Sequence, residues 1–149
     1  MTAFVPRVLA LDVGEKRIGV AVSDPLGMTA QGVETIFSKG IKRDLARIWE
    51  LAEQYGTKRL VVGLPRNMDG TIGPQAERIL AYSQVLKEAG YEVRHEDERM
   101  TTLMARRVLL EGEVRREKRI EVVDKLAATY ILQSFLDGGG WVERESDDA

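Results

Sequence analysis

The sequence predicts a single α/β domain built on a mixed, five-stranded sheet. Three short runs of β-branched and aliphatic residues come first, and segments with helical periodicity then alternate with apolar strands. The first arrangement is typical of an antiparallel meander, and the second of parallel strands flanked by helices. With 149 residues, 44% of them hydrophobic, the chain has the size and composition of one domain with a hydrophobic core.

The first half of the chain predicts three strands, a helix and a fourth strand. The first two strands form a hairpin through a turn at 14–17, and Gly56 stands where the helix should stop. The apolar run RLVVGL is typical of a strand buried on both faces. In order, the elements are the strands Val8–Val13, Ile18–Ser23 and Gly32–Phe37, the helix Lys42–Tyr55 and the strand Arg59–Leu64.

The second half continues the alternation and ends in an apolar helix that three glycines stop. A highly charged segment precedes this helix and predicts a loop. In order, the segments are the loop Pro65–Pro74, the helix Gln75–Ala89, the strand Tyr91–Glu96, the helix Thr101–Glu111, the loop Gly112–Glu121 and the helix Val122–Leu136. We expect one domain over 1–137, then a Gly-rich stop and an acidic, disordered tail over 138–149.

The composition excludes several kinds of site. The chain has no cysteine, which excludes disulfides, thiolate nucleophiles and Cys-based zinc sites, and its single histidine, His95, excludes a multi-His metal cluster. Any metal should therefore be a hard cation held by oxygen atoms. No stretch of about 18 uncharged apolar residues occurs, so we expect no membrane span and a cytoplasmic protein.

Acidic residues fall at the ends of three predicted elements. They are Asp12 in the first strand, Asp97 and Glu98 after a later strand, and Asp124 in the first turn of the last helix. A local role, such as accepting backbone amide bonds near a turn or helix N-terminus, explains each of them alone. Adjacent strand residues point to opposite faces, so only one of Asp97 and Glu98 readily faces a shared ligand. Together the carboxylates are typical of a site for Mg²⁺ or Mn²⁺.

The distribution of charge is more informative than its total. The chain carries 22 Lys and Arg against 24 Asp and Glu, a net charge of −2. The last seven residues hold four acids and one arginine, so the remainder is slightly basic, and its cations are clustered. The near-neutral total therefore does not argue against a nucleic-acid partner.

Four motifs carry a resemblance to a known family. They are DVGEKRIGVAVSD at 12–24, VVGLPRNMDGTIGP at 61–74, DERMTT at 97–102 and DKLAATYILQSFL at 124–136. Together, and in this order, they resemble the YqgF family, also called RuvX, whose members are named Holliday junction resolvases or pre-16S rRNA nucleases. The resemblance implies the RNase H-like fold and a divalent-metal-dependent nuclease that acts on structured nucleic acid.

The resemblance also assigns roles to individual residues. Asp12, Glu98 and Asp124 match the family's acids and are the expected ligands of one or two Mg²⁺ or Mn²⁺ ions. In the loop at 65–74, Asp69 is either a fourth acid or part of a tight turn. Trp141, after the glycine run, either joins a dimer interface or covers the edge of the domain.

Basic residues of the motifs and of the segment after Thr102 are candidates for contacting phosphates. The alternative for the later ones is a solvated helix face, because glutamates are interleaved with them. The candidates are Lys16, Arg17, Arg66, Arg99, Arg106, Arg107, Arg115 and Arg116.

Several functions are compatible with these features. On family grounds we expect 5′-end processing of pre-16S rRNA, with Holliday junction resolution as the alternative. A resolvase cuts two symmetric strands, so this alternative would favour a homodimer. A non-catalytic nucleic-acid-binding module is disfavoured because all three acids are present. The DxGxxxxG pattern at 12–19 also fits ATP-binding proteins of the sugar kinase and actin type, but these need two such domains.

Overall fold

Five strands and three helices make up the computed structural model, which describes residues 6–99 and 116–142, with side chains for 6–98 and 125–142. The elements are β1 (Leu9–Val13), β2 (Arg17–Ser23), β3 (Ala30–Phe37), α1 (Ile41–Tyr55), β4 (Arg59–Arg66), α2 (Pro74–Glu88), β5 (Glu92–Arg99) and α3 (Arg116–Asp137). These elements confirm the predicted strands and three of the predicted helices. The fourth, at 101–111, lies outside the described residues.

The strands form one mixed sheet in the order β3-β2-β1-β4-β5. The pairs β1–β2 and β2–β3 are antiparallel, whereas β1–β4 and β4–β5 are parallel. The predicted five-stranded sheet with a meander and parallel strands is therefore confirmed. The parallel strands β1, β4 and β5 end at the same edge of the sheet, which we call the carboxyl edge. Ligands of α/β sheets commonly bind at such an edge.

The two faces of the sheet are covered by different helices. Leu9 and Leu11 of β1 belong to the larger hydrophobic cluster, which also contains Ile48 of α1 and Ile79 of α2. We call this side of the sheet the α1/α2 face. The opposite face, called the α3 face, carries a smaller cluster that joins residues of β1, β2 and β4 to α3. Because strand side chains alternate, the direction of each residue at the carboxyl edge follows from this division.

Helix α3 lies close to the sheet because glycines face it. A Cβ atom on Gly63 of β4 would stand 2.5 Å from Cδ1 of Ile131, and one on Gly32 of β3 would stand 2.7 Å from Cγ of Lys125. Further along the helix, the Gln133 side chain accepts a hydrogen bond from the Ala30 amide at 3.0 Å. From Lys125 to Gln133 the helix therefore runs away from the carboxyl edge, with its N-terminal end nearer that edge.

Three predicted boundaries are wrong. Strand β5 runs to Arg99 instead of ending at Glu96, because its parallel pairing with β4 extends that far, so Asp97 and Glu98 lie within the strand. The segment Gly112–Glu121 was expected to be a loop, but α3 already begins at Arg116. Arg, Glu and Lys are good helix formers, so a charged segment that continues into an apolar helix extends it. Strand β4 continues through Pro65 to Arg66, for which the sequence predicts a loop. Proline is tolerated there because β1 pairs with β4 only as far as Leu11 and Val62, leaving β5 as the neighbouring strand.

Trp141 covers the edge of the domain in the described part of the chain. Gly139 and Gly140 have φ angles of 118° and 70°, which favour glycine, and they turn the chain back after α3. The indole packs edge-on against Phe135, and the Arg94 guanidinium lies 4.1 Å from its ring centroid. The remaining predicted tail, 143–149, lies outside the described residues. Among the helices of the described residues, none is long and apolar enough to span a membrane.

Candidate functional site

Asp12 lies on the α3 face near the carboxyl end of β1. Its neighbours Leu11 and Val13 point into the larger cluster on the other face, whereas Val8 and Ala10 belong to the cluster beneath α3. Asp12 follows Val8 and Ala10 in this alternation, so its side chain lies on the α3 face, where it is half-buried. A carboxylate in this position sits at the boundary between the apolar contact with α3 and the solvent at the carboxyl edge.

Glu98 lies on the same face as Asp12, near the end of β5. Two residues earlier, Glu96 accepts a hydrogen bond of 2.6 Å from the Ser134 hydroxyl of α3, which fixes the direction of alternate residues in β5. Glu98 is buried, with only 6% of its surface exposed. Asp97 points to the opposite face, where its Oδ1 lies 3.5 Å from Nε of Arg66. Of the two adjacent acids, Glu98 is therefore the one that shares a face with Asp12.

The sheet register places these two acids on either side of β4 at the carboxyl edge. Glu98 pairs with Pro65 of β4, and Leu11 of β1 pairs with Val62 of the same strand. Asp12 is therefore level with Gly63, two residues before the partner of Glu98. Strand β4, with neighbouring strands about 4.8 Å apart, and this two-residue offset separate the two acids. Both carboxylates stand where three parallel strands end.

The third predicted acid, Asp124, lies in α3 one turn before Ala128. Ala128 is fully buried in the cluster that contains Ala10. Asp12 comes two residues after Ala10 and lies nearer the carboxyl edge. The backbone of Asp124 likewise lies nearer the carboxyl edge than that of Ala128, because the N-terminal end of α3 points toward this edge. Its side chain lies outside the described ones, among which no three His, Cys, Asp or Glu residues form a group that could hold a metal ion.

The β1–β2 hairpin presents two of the predicted phosphate contacts at the carboxyl edge. The Gly14 amide donates a hydrogen bond of 2.9 Å to the Arg17 carbonyl oxygen, and a Cβ on Gly14 would stand 2.9 Å from that same oxygen. Glycine at this position therefore permits the tight turn. Lys16 at its tip is exposed and Arg17 is half-buried.

The other predicted cations are distributed differently. Arg66 lies on the α1/α2 face, where its Nη1 donates a 3.3 Å hydrogen bond to the Gly70 carbonyl oxygen besides approaching Asp97. Its guanidinium is thus directed away from the face of Asp12 and Glu98. Arg99 ends β5 and Arg116 begins α3, with side chains outside the described ones. The predicted contacts that lie entirely outside the described residues are Arg106, Arg107 and Arg115.

Asp69 has a turn role in the loop after β4. Its Oδ1 accepts hydrogen bonds from the Thr71 amide at 3.0 Å and from the Thr71 hydroxyl at 2.6 Å. The Asn67 amide also donates to the Thr71 carbonyl oxygen at 3.0 Å. The sequence left two roles open for Asp69, a fourth acid or part of a tight turn, and these hydrogen bonds are those of a tight turn.

His95 lies on the α1/α2 face, away from Asp12 and Glu98. Its Nε2 is 2.8 Å from the hydroxyl oxygen of Ser83, a residue of α2 that is only 1% exposed. Burial lowers the pKa of His95 below its ordinary value, and the positive charges of Lys87 and Arg66 lower it further. The imidazole therefore stays neutral at neutral pH and holds β5 to α2.

This shift predicts a pH dependence of stability. The folded protein binds the His95 proton less readily than the unfolded chain. The stabilising contribution of neutral His95 is therefore fully present above about pH 6.5 and is lost as the pH falls through the pKa of the folded state. We expect the melting temperature of the wild type to fall more steeply than that of His95→Gln below about pH 6.5. Thermal unfolding of both proteins between about pH 8 and pH 5 measures the difference. Parallel curves would show that His95 does not titrate differently on folding.

Sequence reasoning missed a second group of polar residues at the carboxyl edge, on the α1/α2 face. Asp44 of α1 is only 4% exposed, and it accepts hydrogen bonds from the Ser38 hydroxyl and, at 3.1 Å, from the Lys39 amide. A serine shortly before a helix and an acid in its first turn are a helix-start pattern that could have indicated this arrangement. The neighbouring Tyr82 gives no such local signal, because its position depends on how α2 packs.

Comparisons with known proteins identify the family and the fold. The model of the RuvX family, described as Holliday junction resolvase, matches residues 6–138. A Moorella thermoacetica protein named "Putative pre-16S rRNA nuclease" is 54% identical over 132 residues, which cover 88% of this chain and 94% of that protein. A Clostridium novyi protein of the same name is 48% identical over 132 residues, covering 88% and 98%.

Solved structures show the same architecture at low sequence identity. The structure described as T. thermophilus RuvC in complex with Holliday junction substrate matches with a TM-score of 0.51 and 15% identity, covering 91% of this chain and 97% of that one. A second Thermus thermophilus RuvC structure matches with a TM-score of 0.50 and 16% identity, covering 89% and 96%. At this identity the likeness concerns the fold, which is RNase H-like. Because the family match spans nearly the whole chain and relatives share about half of its residues, this chain belongs to the RuvX family.

Proposed function

We propose that this protein is a divalent-metal-dependent nuclease that hydrolyses phosphodiester bonds in pre-16S rRNA, at the 5′ end of the mature sequence. The observation that carries the proposal is the position of Glu98, a buried carboxylate that shares the α3 face and the carboxyl edge with Asp12. The name shared by relatives at 48–54% identity supports the choice of substrate.

The chemistry of these residues fits a hard divalent cation. Two carboxylates on one face of the sheet repel one another, and a cation between them relieves that repulsion. Carboxylate oxygens are the ligands that Mg²⁺ and Mn²⁺ prefer, and Asp12, Glu98 and Asp124 would hold one or two such ions. The chemistry that such an ion would supply is activation of a water molecule for attack on phosphorus and stabilisation of the leaving oxygen.

The protein's own residues orient the substrate. Lys16 is exposed at the tip of the hairpin, at the carboxyl edge, and can pair with a backbone phosphate of a strand bound there. No cysteine exists, and His95 is bonded to Ser83 on the other face of the sheet, so neither residue type is placed as a nucleophile. Hydrolysis by water, without a covalent enzyme intermediate, therefore agrees best with the residues at this site.

The second candidate is resolution of Holliday junctions. The description of the RuvX family and the RuvC structure with a junction substrate favour it. A resolvase must place two sites on one junction, so this function would require a two-fold homodimer. Ribosomal RNA processing has no such requirement for symmetry.

Cleavage assays on both substrates test the proposal. The wild-type protein is incubated with a pre-16S rRNA fragment spanning the 5′ end and with a four-way DNA junction, in Mg²⁺ or Mn²⁺ and then with chelator. We expect metal-dependent cleavage of the RNA. Symmetric cleavage of the junction alone, by a protein whose mass in solution is that of a dimer, would favour the second candidate. Binding of either substrate without cleavage would contradict both and indicate a non-catalytic binding module.

A further inference from the structure

Two adjoining cavities open at the carboxyl edge on the α1/α2 side of the β1–β2 hairpin. The larger is a groove of about 640 Å³ between the hairpin and the start of α2, lined by Gly14–Arg17, Pro74, Gln75 and Arg78. The smaller is a pocket of about 310 Å³ that shares Gly14, Glu15 and Arg78 with the groove. We call them the groove and the pocket. They lie across the hairpin from Asp12, whose side chain faces α3.

The pocket combines apolar and polar groups. Val13, Ile18 and Ile41 supply apolar surface. Polar atoms come from Glu15, Ser38, Asp44, Arg78 and Tyr82. Asp44 is almost fully buried, and its carboxylate is already engaged by the Ser38 hydroxyl and the Lys39 amide. Apolar and polar groups thus line the pocket in similar measure, and its volume is near the lower end of the range of small-molecule sites.

Tyr82 carries a hydrogen-bonding group that the described part of the protein does not use. Its hydroxyl oxygen is buried and has no hydrogen-bond partner among the described residues. Burial, together with the nearby negative charge of Asp44, raises the pKa of Tyr82 to about 12, so the hydroxyl keeps its proton at neutral pH. Leaving such a group unpaired costs free energy. A ligand with an acceptor atom would recover it when the side chain turns its hydroxyl toward the pocket that it lines.

The groove next to the pocket suits an anion. Lys16 is exposed on the hairpin, and Arg78 of α2 makes an ion pair of 2.9 Å with Glu15 across the groove. The first turn of α2, which begins at Pro74, borders the same space, and the start of a helix favours negative charge. Two cations and a helix start thus face one groove, with Glu15 competing for Arg78.

We propose that the pocket and the groove together bind one unstacked nucleotide of the substrate strand, with its base in the pocket and its phosphate in the groove. A nucleobase has apolar ring faces and hydrogen-bonding edges, which match the pocket. In a nucleotide the base is joined to a phosphate, and the groove that suits an anion adjoins the pocket. The inference rests on the proposed function, because it takes the nucleotide to belong to the strand that is cleaved beside Asp12. It adds Tyr82 and Arg78 as residues that select unpaired nucleotides.

Binding without divalent cation tests this assignment, because the strand then stays intact. Anisotropy of a labelled single-stranded RNA of about ten nucleotides reports the affinity of the wild type and of Tyr82→Phe. We expect the Tyr82→Phe variant to bind about fivefold to tenfold more weakly, as loss of one buried hydrogen bond predicts. Tyr91→Phe is the matched control, since the Tyr91 hydroxyl is also buried without a described partner but lies outside both cavities.

Charge variants test the groove independently. Arg78→Gln should weaken RNA binding about threefold to tenfold at low salt, whereas Lys87→Gln, at the far end of α2, should change it less than twofold. Glu15→Gln should strengthen binding, because it releases Arg78 from its ion pair, and Glu88→Gln is the corresponding control. A structural role of the Glu15–Arg78 pair would instead make both variants weaker binders.

Binding of mononucleotides shows whether the nucleotide in the pocket belongs to an RNA strand or is a free nucleotide. If Tyr82→Phe weakens binding of the RNA and of a nucleoside monophosphate alike, the assignment to a strand nucleotide stands. If it weakens only the monophosphate, the pocket serves free nucleotides and the assignment is wrong. If Tyr82→Phe and Tyr91→Phe behave alike with both ligands, the cavities do not bind a nucleotide. Since these readouts need no cleavage, failure of the nuclease proposal would be seen separately, in the metal-dependent assay.

A melting curve distinguishes a binding defect from a folding defect. The Tyr82 hydroxyl is buried without a described partner, so its removal should leave the melting temperature unchanged or higher. A marked drop would show that the hydroxyl stabilises the fold, and the loss of RNA binding would then have a structural cause.

Discussion

Asp12→Asn should lower the rate of RNA cleavage by about a thousandfold, which corresponds to about 4 kcal/mol of transition-state stabilisation. The substitution keeps the shape of the side chain and removes one negative oxygen from the α3 face, where Asp12 and Glu98 stand on either side of β4. Loss of a carboxylate ligand weakens metal binding and the positioning of the attacking water. Single-turnover cleavage of the pre-16S rRNA fragment at saturating Mg²⁺ measures the effect.

Asp97→Asn is the matched control for this prediction. Asp97 is at the same edge of the sheet and next to Glu98, but it points to the opposite face and approaches Arg66. We expect its cleavage rate to stay within about threefold of the wild type, since an exposed ion pair contributes little. Equal losses in Asp12→Asn and Asp97→Asn would contradict the assignment of the site to the α3 face.

The succession of strands and helices along the chain could be predicted because each strand is marked by its own residues. Val8–Val13 and Arg59–Leu64 are apolar runs long enough for strands and too short for helices, and turn residues separate them from their neighbours. The start of α3 could not be predicted in this way. Its first turns, from Arg116, are charged, and a charged segment reads equally as a loop or as an exposed part of a helix.

The site could be predicted only in part, because its residues meet through long-range packing. The apolar strand around Asp12 marks that acid as unusual, but the choice between Asp97 and Glu98 depends on the direction of β5. That direction is fixed by a contact between Glu96 and Ser134, far apart in the sequence. The pocket at Tyr82 had no sequence signal, since it exists only where α2 packs beside the hairpin.

Glu98→Gln should abolish the stabilisation of the protein by divalent cations as well as its activity. A ligand present at about a hundred times its dissociation constant stabilises a folded protein by about 2.7 kcal/mol, which for a domain of this size raises the melting temperature by roughly 5–10 °C. We expect such a rise for the wild type in Mn²⁺ and little or none for Glu98→Gln. Thermal unfolding with Mn²⁺ and with chelator measures the shift without any substrate.

Glu96→Gln separates a metal ligand from an acid that only lies on the same strand and face. Glu96 is already engaged by the Ser134 hydroxyl, so its amide variant should keep most of the Mn²⁺-induced rise in melting temperature. If Glu98→Gln retained the same rise as the wild type, Glu98 would not be a metal ligand, and its burial would have a purely structural cause. If both variants lost the rise, the cation would bind lower on β5, near Ser134, and the site would lie closer to the middle of the sheet than the carboxyl edge.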